Sequence, residues 1–499
     1  MRAHPNSTHS IHPAGLRPLF FTELWERFSY YGMRGLLILY MTAPVNAGGL
    51  AFDTARAGAI YGLYSGSVYL ACLPGGWLAD RFLGAQRATL IGGIVILCGH
   101  LCLAIPMFNA FYLGLGLVII GTGFLKPNVS MMVGQLYHVD DPRRDSGFSI
   151  YYMGINLGAF LAPLACGWLA LSPPFRALLT QNGIDPMMAW HYGFGAAAFG
   201  MALGLASFLR GTPHFNPVSA RPANSPSAAD HRRLRLGLIG VVTGCIALGG
   251  LILRGVLTIG DLSNLFGIGL LLATVIFFAW IFLDRSWTNE ERRRLQQILT
   301  LFLAAVVFWS LFEQGGSTLN LFAERNTQRY VEWLGYEFPA TWFQSLNPLM
   351  IIALTPVFAW SWIALGSRNP SSTVKFTAGL AWVSAGFAVL ILAATYAEAG
   401  IQVSPWWLVA TYGLHTLGEL CLSPVGLSAM SRLAPARIAG LTMGVWFLAT
   451  SVGNYLGGRA ASAYDAFTLP QLFTAVTLFG LAATVLLACV AKFLNSSGR

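Results

Sequence analysis

The sequence predicts an all-α polytopic membrane protein with 14 transmembrane helices, and three observations carry that prediction. Of 499 residues, 55% are hydrophobic and only 10% charged, whereas a soluble domain is about a quarter charged. Apolar runs long enough to cross a bilayer recur from end to end. These runs are continuous and do not alternate over about ten residues, which excludes a β-barrel. The net charge of +10 is no nucleic-acid signal, because the basic residues gather in short loops on one side, as the positive-inside rule requires.

Helices are expected at 18–42, 56–80, 87–107, 109–136, 146–171, 190–210, 234–254, 262–283, 294–322, 340–366, 374–398, 405–431, 438–462 and 469–493. The first six make an N-terminal bundle, residues 18–210. Residues 211–233, rich in Pro, Ser and Ala, form a cytoplasmic linker. The next two helices carry almost no internal polar group and read as an inserted hairpin, which with its connector spans 234–290. Residues 291–493 make a C-terminal six-helix bundle, so the core is six plus six. Arg2, Arg81, Arg87, Arg143, Arg144, Arg232, Arg233, Arg292, Arg293, Arg294, Lys375 and Arg432 are among the cytoplasmic charges, while the opposite side receives only Arg56, Arg176, Arg254, Arg325 and Arg329. Both termini are then cytoplasmic. Residues 1–17 are polar and run straight into a charged span, unlike a cleaved signal peptide. The seven cysteines lack metal-ligand spacing and read as small buried hydrophobes.

The first span carries Glu23, Glu26, Arg27 and Arg34. An ionised group at the bilayer centre costs about 2.5–3.5 kcal/mol, so four cost about 10–14 kcal/mol, more than the neighbouring Leu and Ile recover. These charges must therefore face protein or water. Glu23, Arg27, Tyr30 and Arg34 follow one another at spacings of four, three and four, one helical stripe. Lys126, before Pro127, and Glu419, before Ser423-Pro424, are the lone charges of the fourth and twelfth helices. They are expected to meet across a central cavity. Glu313, in Phe308-Trp309-Ser310-Leu311-Phe312-Glu313-Gln314, is a third lone embedded acid. A carboxylate that exchanges between a cationic partner and a proton has the property that proton coupling needs, and Arg34 is its natural partner. For Asn156 and Asn347, helix–helix hydrogen bonding explains the residue as well as a ligand role does. Tyr69, Trp309 and Trp446 read first as packing residues. No HExxH, GxSxG or Walker sequence is present, so nothing points to an enzyme.

The tight turn from Gly76 through Trp77, Asp80, Arg81 and Gly84 to Arg87 resembles the loop signature of the major facilitator superfamily. Glu23-x-x-Glu26-Arg27-Phe28-x-Tyr30-Tyr31-Gly32 resembles the ExxERFxYYG motif of the proton-dependent oligopeptide transporters, bacterial type. The resemblance continues through Phe124-Leu125-Lys126-Pro127-Asn128, Tyr151-Tyr152 with Asn156, Glu313-Gln314-Gly315, Phe343-Gln344-Ser345 with Asn347-Pro348, Gly418-Glu419 with Ser423-Pro424, and Gly453-Asn454.

It implies a major facilitator fold of 12 core helices plus the two-helix insertion, and a proton-coupled symporter that imports di- and tripeptides by alternating access. Arg34 and Lys126 would hold the peptide carboxylate. Asn156, Asn347 and Glu419, with Ser423 beside it, would take the amino end. Tyr30 and Tyr69 would contact the peptide backbone, and Trp309 and Trp446 would shape side-chain pockets. Glu23, Glu26, Arg27, Glu313 and Glu419 would carry proton coupling, with Arg34–Glu313 as a gate salt bridge on the outer side. The proton would be the coupling ion, with no cofactor or metal, and the carrier would work as a monomer in the bacterial inner membrane. The embedded His of animal members is absent; Gly62, Tyr64 and Ser65 occupy that region. Two alternatives stand beside this reading: a same-family carrier of nitrate, an amino-acid conjugate or a drug, and a non-transporting nutrient receptor.

Overall fold

A computed structural model describes residues 12–138, 140–223, 225–435, 437–438 and 442–496; Arg2 lies outside them. The chain is helical almost throughout. The N-terminal half comprises α1 (Leu16–Thr42), α2 (Thr54–Leu70), α3 (Cys72–Leu78), α4 (Ala85–Leu103), α5 (Phe108–Gln135), α6 (Arg144–Leu171), α7 (Pro173–Gln181) and α8 (Ala189–Gly211). The hairpin is α9 (Ala228–Leu253) and α10 (Ile259–Leu283). The C-terminal half comprises α11 (Asn289–Phe312), α12 (Thr318–Asn326), α13 (Leu346–Ala364), α14 (Ser372–Glu398), α15 (Trp406–Leu433), α16 (Thr442–Ala461) and α17 (Leu469–Ser496). Among the described residues, ten spans are long and apolar enough to cross a membrane by composition alone. α1, with Glu23, Glu26, Arg27 and Arg34, is not among them.

Local chemistry explains the boundaries. Ser227, Thr258 and Thr288 each cap a helix reciprocally with Asp230, Asp261 and Glu291, so orphan N–H groups are satisfied on both sides of the box. Gly84, at φ 80°, ends the wide turn Ala79–Leu83 that follows α3, a backbone region open to glycine at little cost. One expected helix is not continuous. The span 294–322 breaks at Glu313–Gly316, where a 3-10 turn and Ser317 at φ −128°, ψ −88° separate α11 from α12. Gly315 and Gly316 are weak helix formers, and a Cβ at Gly316 would collide with the Tyr61 hydroxyl and crowd Arg34 Nε at 3.2 Å. The helix expected from 340 starts as a 3-10 segment, Ala340–Ser345, and becomes α13 only at Leu346. Two small elements were not expected: α7, with Pro in its first turn after the Ser172 cap, and a hairpin of β1 (Tyr330–Val331) with β2 (Tyr336–Glu337), paired antiparallel.

In the N-terminal half α1 packs on α6 and α8, and α4 on α5. In the C-terminal half α14 packs on α15 and α17. The halves join through α2 along α16 and α6 along α13. The hairpin rests by α10 on α2, whereas α9 is exposed or half-buried along most of its length.

The turns after α3, α5, α8, α10, α13 and α15 share one end with the linker, here the linker end; the other is the far end. Among the described residues, the hydrogen bonds between the halves run from mid-height to the far end. Asn320 Nδ2 donates to the Gly35 carbonyl (2.8 Å), Thr341 Oγ1 to Pro163 (3.2 Å), Trp342 Nε1 to Leu164 (3.2 Å), Ser345 Oγ to Phe160 (2.8 Å) and Ser451 Oγ to Gly66 (2.7 Å). Thr54 Oγ1 donates to Asp465 (2.8 Å), which also pairs with Arg325. The far end is closed.

Candidate functional site

A cavity of about 280 Å³ lies between the halves, built by α1, α2, α5 and α6 on one wall and by α11, α13, α15 and α16 on the other. Its charges are sorted by wall. The N-terminal half contributes two cations, Arg34 and Lys126, and the C-terminal half two carboxylates, Glu313 and Glu419. Arg34 Nη1 donates to Glu313 Oε2 at 2.5 Å, both side chains nearly buried. The break after Phe312 sets this contact: Glu313 is the first residue of the 3-10 turn, and Gly316 lets α1 approach. The Arg34–Glu313 ion pair expected from the sequence is therefore formed.

Lys126 and Glu419 share the cavity, but among the described residues no ion pair joins them, which corrects the expectation that they meet. Each has a different neighbour. The Lys126 ammonium lies 3.8 Å from the centroid of the Tyr69 ring. Glu419 accepts a hydrogen bond from Asn347 Nδ2 at 2.9 Å, and the same amide reaches Thr416 Oγ1 at 3.0 Å. Cation–π contact and a single amide bond are weak compensation for charges away from bulk water. With Arg34 neutralised by Glu313, the charges left for a guest are a cation on one wall and an anion on the other.

Asn156, Trp309, Ser423 and Trp446 also line the cavity. Asn156 donates to the Tyr152 carbonyl at 3.0 Å, so its amide oxygen is the end left for a guest. The Trp309 Nε1 and Ser423 Oγ atoms are buried without a partner, ready for a ligand or water. Tyr30 is not on the lining. It is 2% exposed behind the wall, and its neighbour Tyr31 faces the cavity, with the Arg34 guanidinium 5.1 Å above its ring.

Glu23, Glu26 and Arg27 sit below the cavity floor, all buried. Arg27 Nε lies 3.0 Å from Glu23 Oε1 and is also paired with Glu26. Two carboxylates on one guanidinium leave an excess negative charge, and Lys126 lies within electrostatic reach of both acids. The proton-coupling candidates on α1 thus connect to the cavity through Lys126.

Sequence reasoning did not single out Tyr31, Tyr152, Gln344, Tyr412 and His415, all on the lining. A signal for four of them was present. Tyr31 lies three residues before Arg34, Tyr152 four before Asn156, and Tyr412 and His415 seven and four before Glu419, spacings that share a helix face. A larger groove, about 1150 Å³, lies at the far end between the hairpin, α2 and α5. Its walls are mostly apolar and it does not join the charged cavity.

A sequence model of the POT family matches residues 86–476. The chain is 42% identical over 495 residues to the peptide transporter YePEPT of Yersinia enterocolitica, covering 96% of this chain and 93% of that protein. It is 36% identical over 490 residues to a di-/tripeptide transporter of Lactococcus lactis subsp. cremoris, covering 96% and 95%. Among solved structures, a peptide transporter POT in complex with sulfate superposes with a TM-score of 0.89 at 40% identity, covering 98% of this chain and 96% of that one. A POT family transporter in complex with a thioalcohol conjugated peptide gives 0.88 at 31% identity, covering 97% of each.

Proposed function

The chain belongs to the POT family, a family of transporters, and from that premise we propose that it is a proton-coupled symporter of di- and tripeptides. The observation that supports this reading most directly is the sorting of charge in the cavity, with Lys126 on one wall and Glu419 on the other. A short peptide at neutral pH carries a carboxylate and an ammonium at its ends, and such a cavity matches both at once. Lys126, assisted by Arg34, takes the carboxylate. Glu419, with Asn347, Asn156 and Ser423, takes the ammonium. Tyr69 and Tyr31 flank the backbone, and Trp309 and Trp446 give apolar walls that tolerate many side chains.

Transport follows from the gate. While Arg34 and Glu313 are paired, the far end stays shut. Protonation of Glu313 removes the ion pair and frees Arg34, so the far end can part and admit peptide together with the proton. Once that end has shut over substrate and proton, loss of the proton from Glu313 to the linker side re-forms the pair and holds the far end closed. Rocking of residues 18–210 against 291–493 around this site is the alternating-access plan. Glu23, Glu26 and Arg27 act as a second protonation centre that senses the carboxylate on Lys126.

By the bias of basic residues toward the linker end, that end is cytoplasmic and so are both termini. The protein then sits as a monomer in a bacterial inner membrane, with the proton as its coupling ion and no cofactor. A second reading, transport of another small zwitterion, is supported by the same charge pair, since a POT family relative has been solved in complex with 5-aminolevulinic acid.

Uptake of labelled Ala-Ala into proteoliposomes tests the proposal. Accumulation that needs an inward proton gradient, collapses with a protonophore and is outcompeted by tripeptides is the expected result. Binding without gradient-driven accumulation would favour a receptor, and competition by 5-aminolevulinic acid but not by peptides would favour the second reading.

A further inference from the structure

A second polar cavity, about 540 Å³, lies at the linker end between α13, α14 and α15, away from the transport site. Its charged lining is Lys375 and Arg432, and no carboxylate contributes to it. Lys375 is 9% exposed. Among the described residues its ammonium has no acid and no hydrogen-bond acceptor; it lies 4.2 Å from the centroid of the Trp362 ring. Arg432 lines the same pocket, so two like charges face one space where an anion would relieve both.

Three further features complete the site. Ser371 and Ser372 line it at the N-terminus of α14, a helix of 27 residues. The first turn of such a helix presents N–H groups without intrahelical acceptors and a positive dipole end. Asn369 adds an amide. Outside, the last turns of α13 expose Val357, Trp360 and Ile363 at 52%, 69% and 78%, an apolar surface of the kind acyl chains cover.

We infer that this pocket binds the phosphate of an anionic phospholipid in the linker-end leaflet, with Lys375 and Arg432 as the phosphate ligands and α13 as the seat of its chains. Phosphate chemistry suits the donor set, since Arg and Lys beside a helix N-terminus recognise it. Basic pockets between transmembrane helices take lipid headgroups for the same reason. The lipid, in preference to free phosphate, is indicated by the step from the cationic pocket to the outer face of α13, where Ala359 of the lining neighbours the exposed Ile363 one turn on. Neither residue belongs to the transport cavity, so the inference stands apart from the peptide assignment.

The test uses the full-length protein in detergent, titrated with dioleoylphosphatidylglycerol, dioleoylphosphatidylcholine or inorganic phosphate, with bound lipid counted by native mass spectrometry. The phosphatidylglycerol complex is expected to persist at about 25-fold lower lipid concentration than the phosphatidylcholine complex, a preference of about fivefold for each of the two cationic side chains. K375Q/R432Q should abolish the preference and K375R should keep it. Equal retention of the two lipids, or a preference that survives the double variant, overturns the assignment. Loss of phosphatidylglycerol to millimolar inorganic phosphate would make a free anion the occupant and also overturn it. Should K375Q fail to fold, R432Q on the exposed rim carries the same test.

Discussion

Arg34 and Glu313 lie 279 positions apart in sequence and 2.5 Å apart in space, joining the first helix of one half to the helix break of the other. Glu313→Gln keeps the shape and removes the charge. Gradient-driven accumulation of Ala-Ala should fall by about tenfold or more, the scale of a coupling free energy of 1–3 kcal/mol. Exchange of labelled for unlabelled peptide, which needs no net proton movement, should continue. Loss of exchange to the same degree would show that Glu313 serves binding and not coupling.

Lys126 and Glu419 should report on opposite ends of the peptide. Lys126→Gln is expected to weaken Ala-Ala binding by about 30-fold or more, the cost of leaving one charge of a desolvated pair alone, and to erase the preference for the free acid over its amide. Glu419→Gln should instead erase the preference for the free amine over its N-acetyl form. Isothermal titration of Ala-Ala, its amide and its N-acetyl form checks both. A variant that loses both preferences together would mean that the two residues do not divide the ligand between them.

The trio of Glu23, Glu26 and Arg27 is buried to within a few per cent. Arg27→Ala leaves two carboxylates beside each other without a cation and should destabilise the protein by about 3–5 kcal/mol, visible as a lower unfolding midpoint in detergent. Changing all three to Gln, Gln and Met removes the uncompensated charge, so the midpoint should recover while proton-driven uptake does not. Recovery of uptake as well would confine the trio to a structural role.

Gly62 faces α16 so closely that a Cβ there would lie 2.8 Å from the Tyr455 carbonyl oxygen and 3.3 Å from the Arg459 nitrogen. Both obstacles are backbone, which cannot rotate away. Gly62→Val should therefore part α2 from α16 and bias the far end open. Spin labels at Val45 and Trp333, both exposed, should show a longer distance in the variant, and an unchanged distance would mean that the helices slide instead of separating.

Much of this was legible in the sequence, because hydropathy and embedded charge are strong local signals. Arg34 and Glu313 could be paired from their depth and opposite sign alone. Other features depended on quantities that depth does not encode. Lys126 and Glu419 were correctly placed on one cavity, yet their separation depends on how far the halves stand apart, and each found its own neighbour in Tyr69 and Asn347. The choice between Tyr30 and Tyr31 turns on a rotation of about 100° about the axis of α1, and two adjacent tyrosines give pattern reasoning nothing to separate them. The break after Phe312 was hidden because apolar residues resume beyond it at Leu319, Leu321 and Phe322. Its signal was the Gly315-Gly316 pair. The short α7 and the β1–β2 hairpin had no apolar period long enough to register.

Five of the contacts that shut the far end share a polarity. Asn320, Thr341, Trp342, Ser345 and Ser451, all from the C-terminal half, supply the donors, while Gly35, Pro163, Leu164, Phe160 and Gly66 accept with main-chain carbonyls. A carbonyl oxygen already engaged in a helix keeps a second lone pair, and no amino-acid replacement deletes it. Those five bonds are thus adjustable from the C-terminal half alone, one at a time, against a partner that mutation cannot remove. The side-chain donors of the N-terminal half, Thr54 on Asp465, Ser65 on the Asn454 carbonyl and Arg34 on Glu313, tune the same closure from the other side.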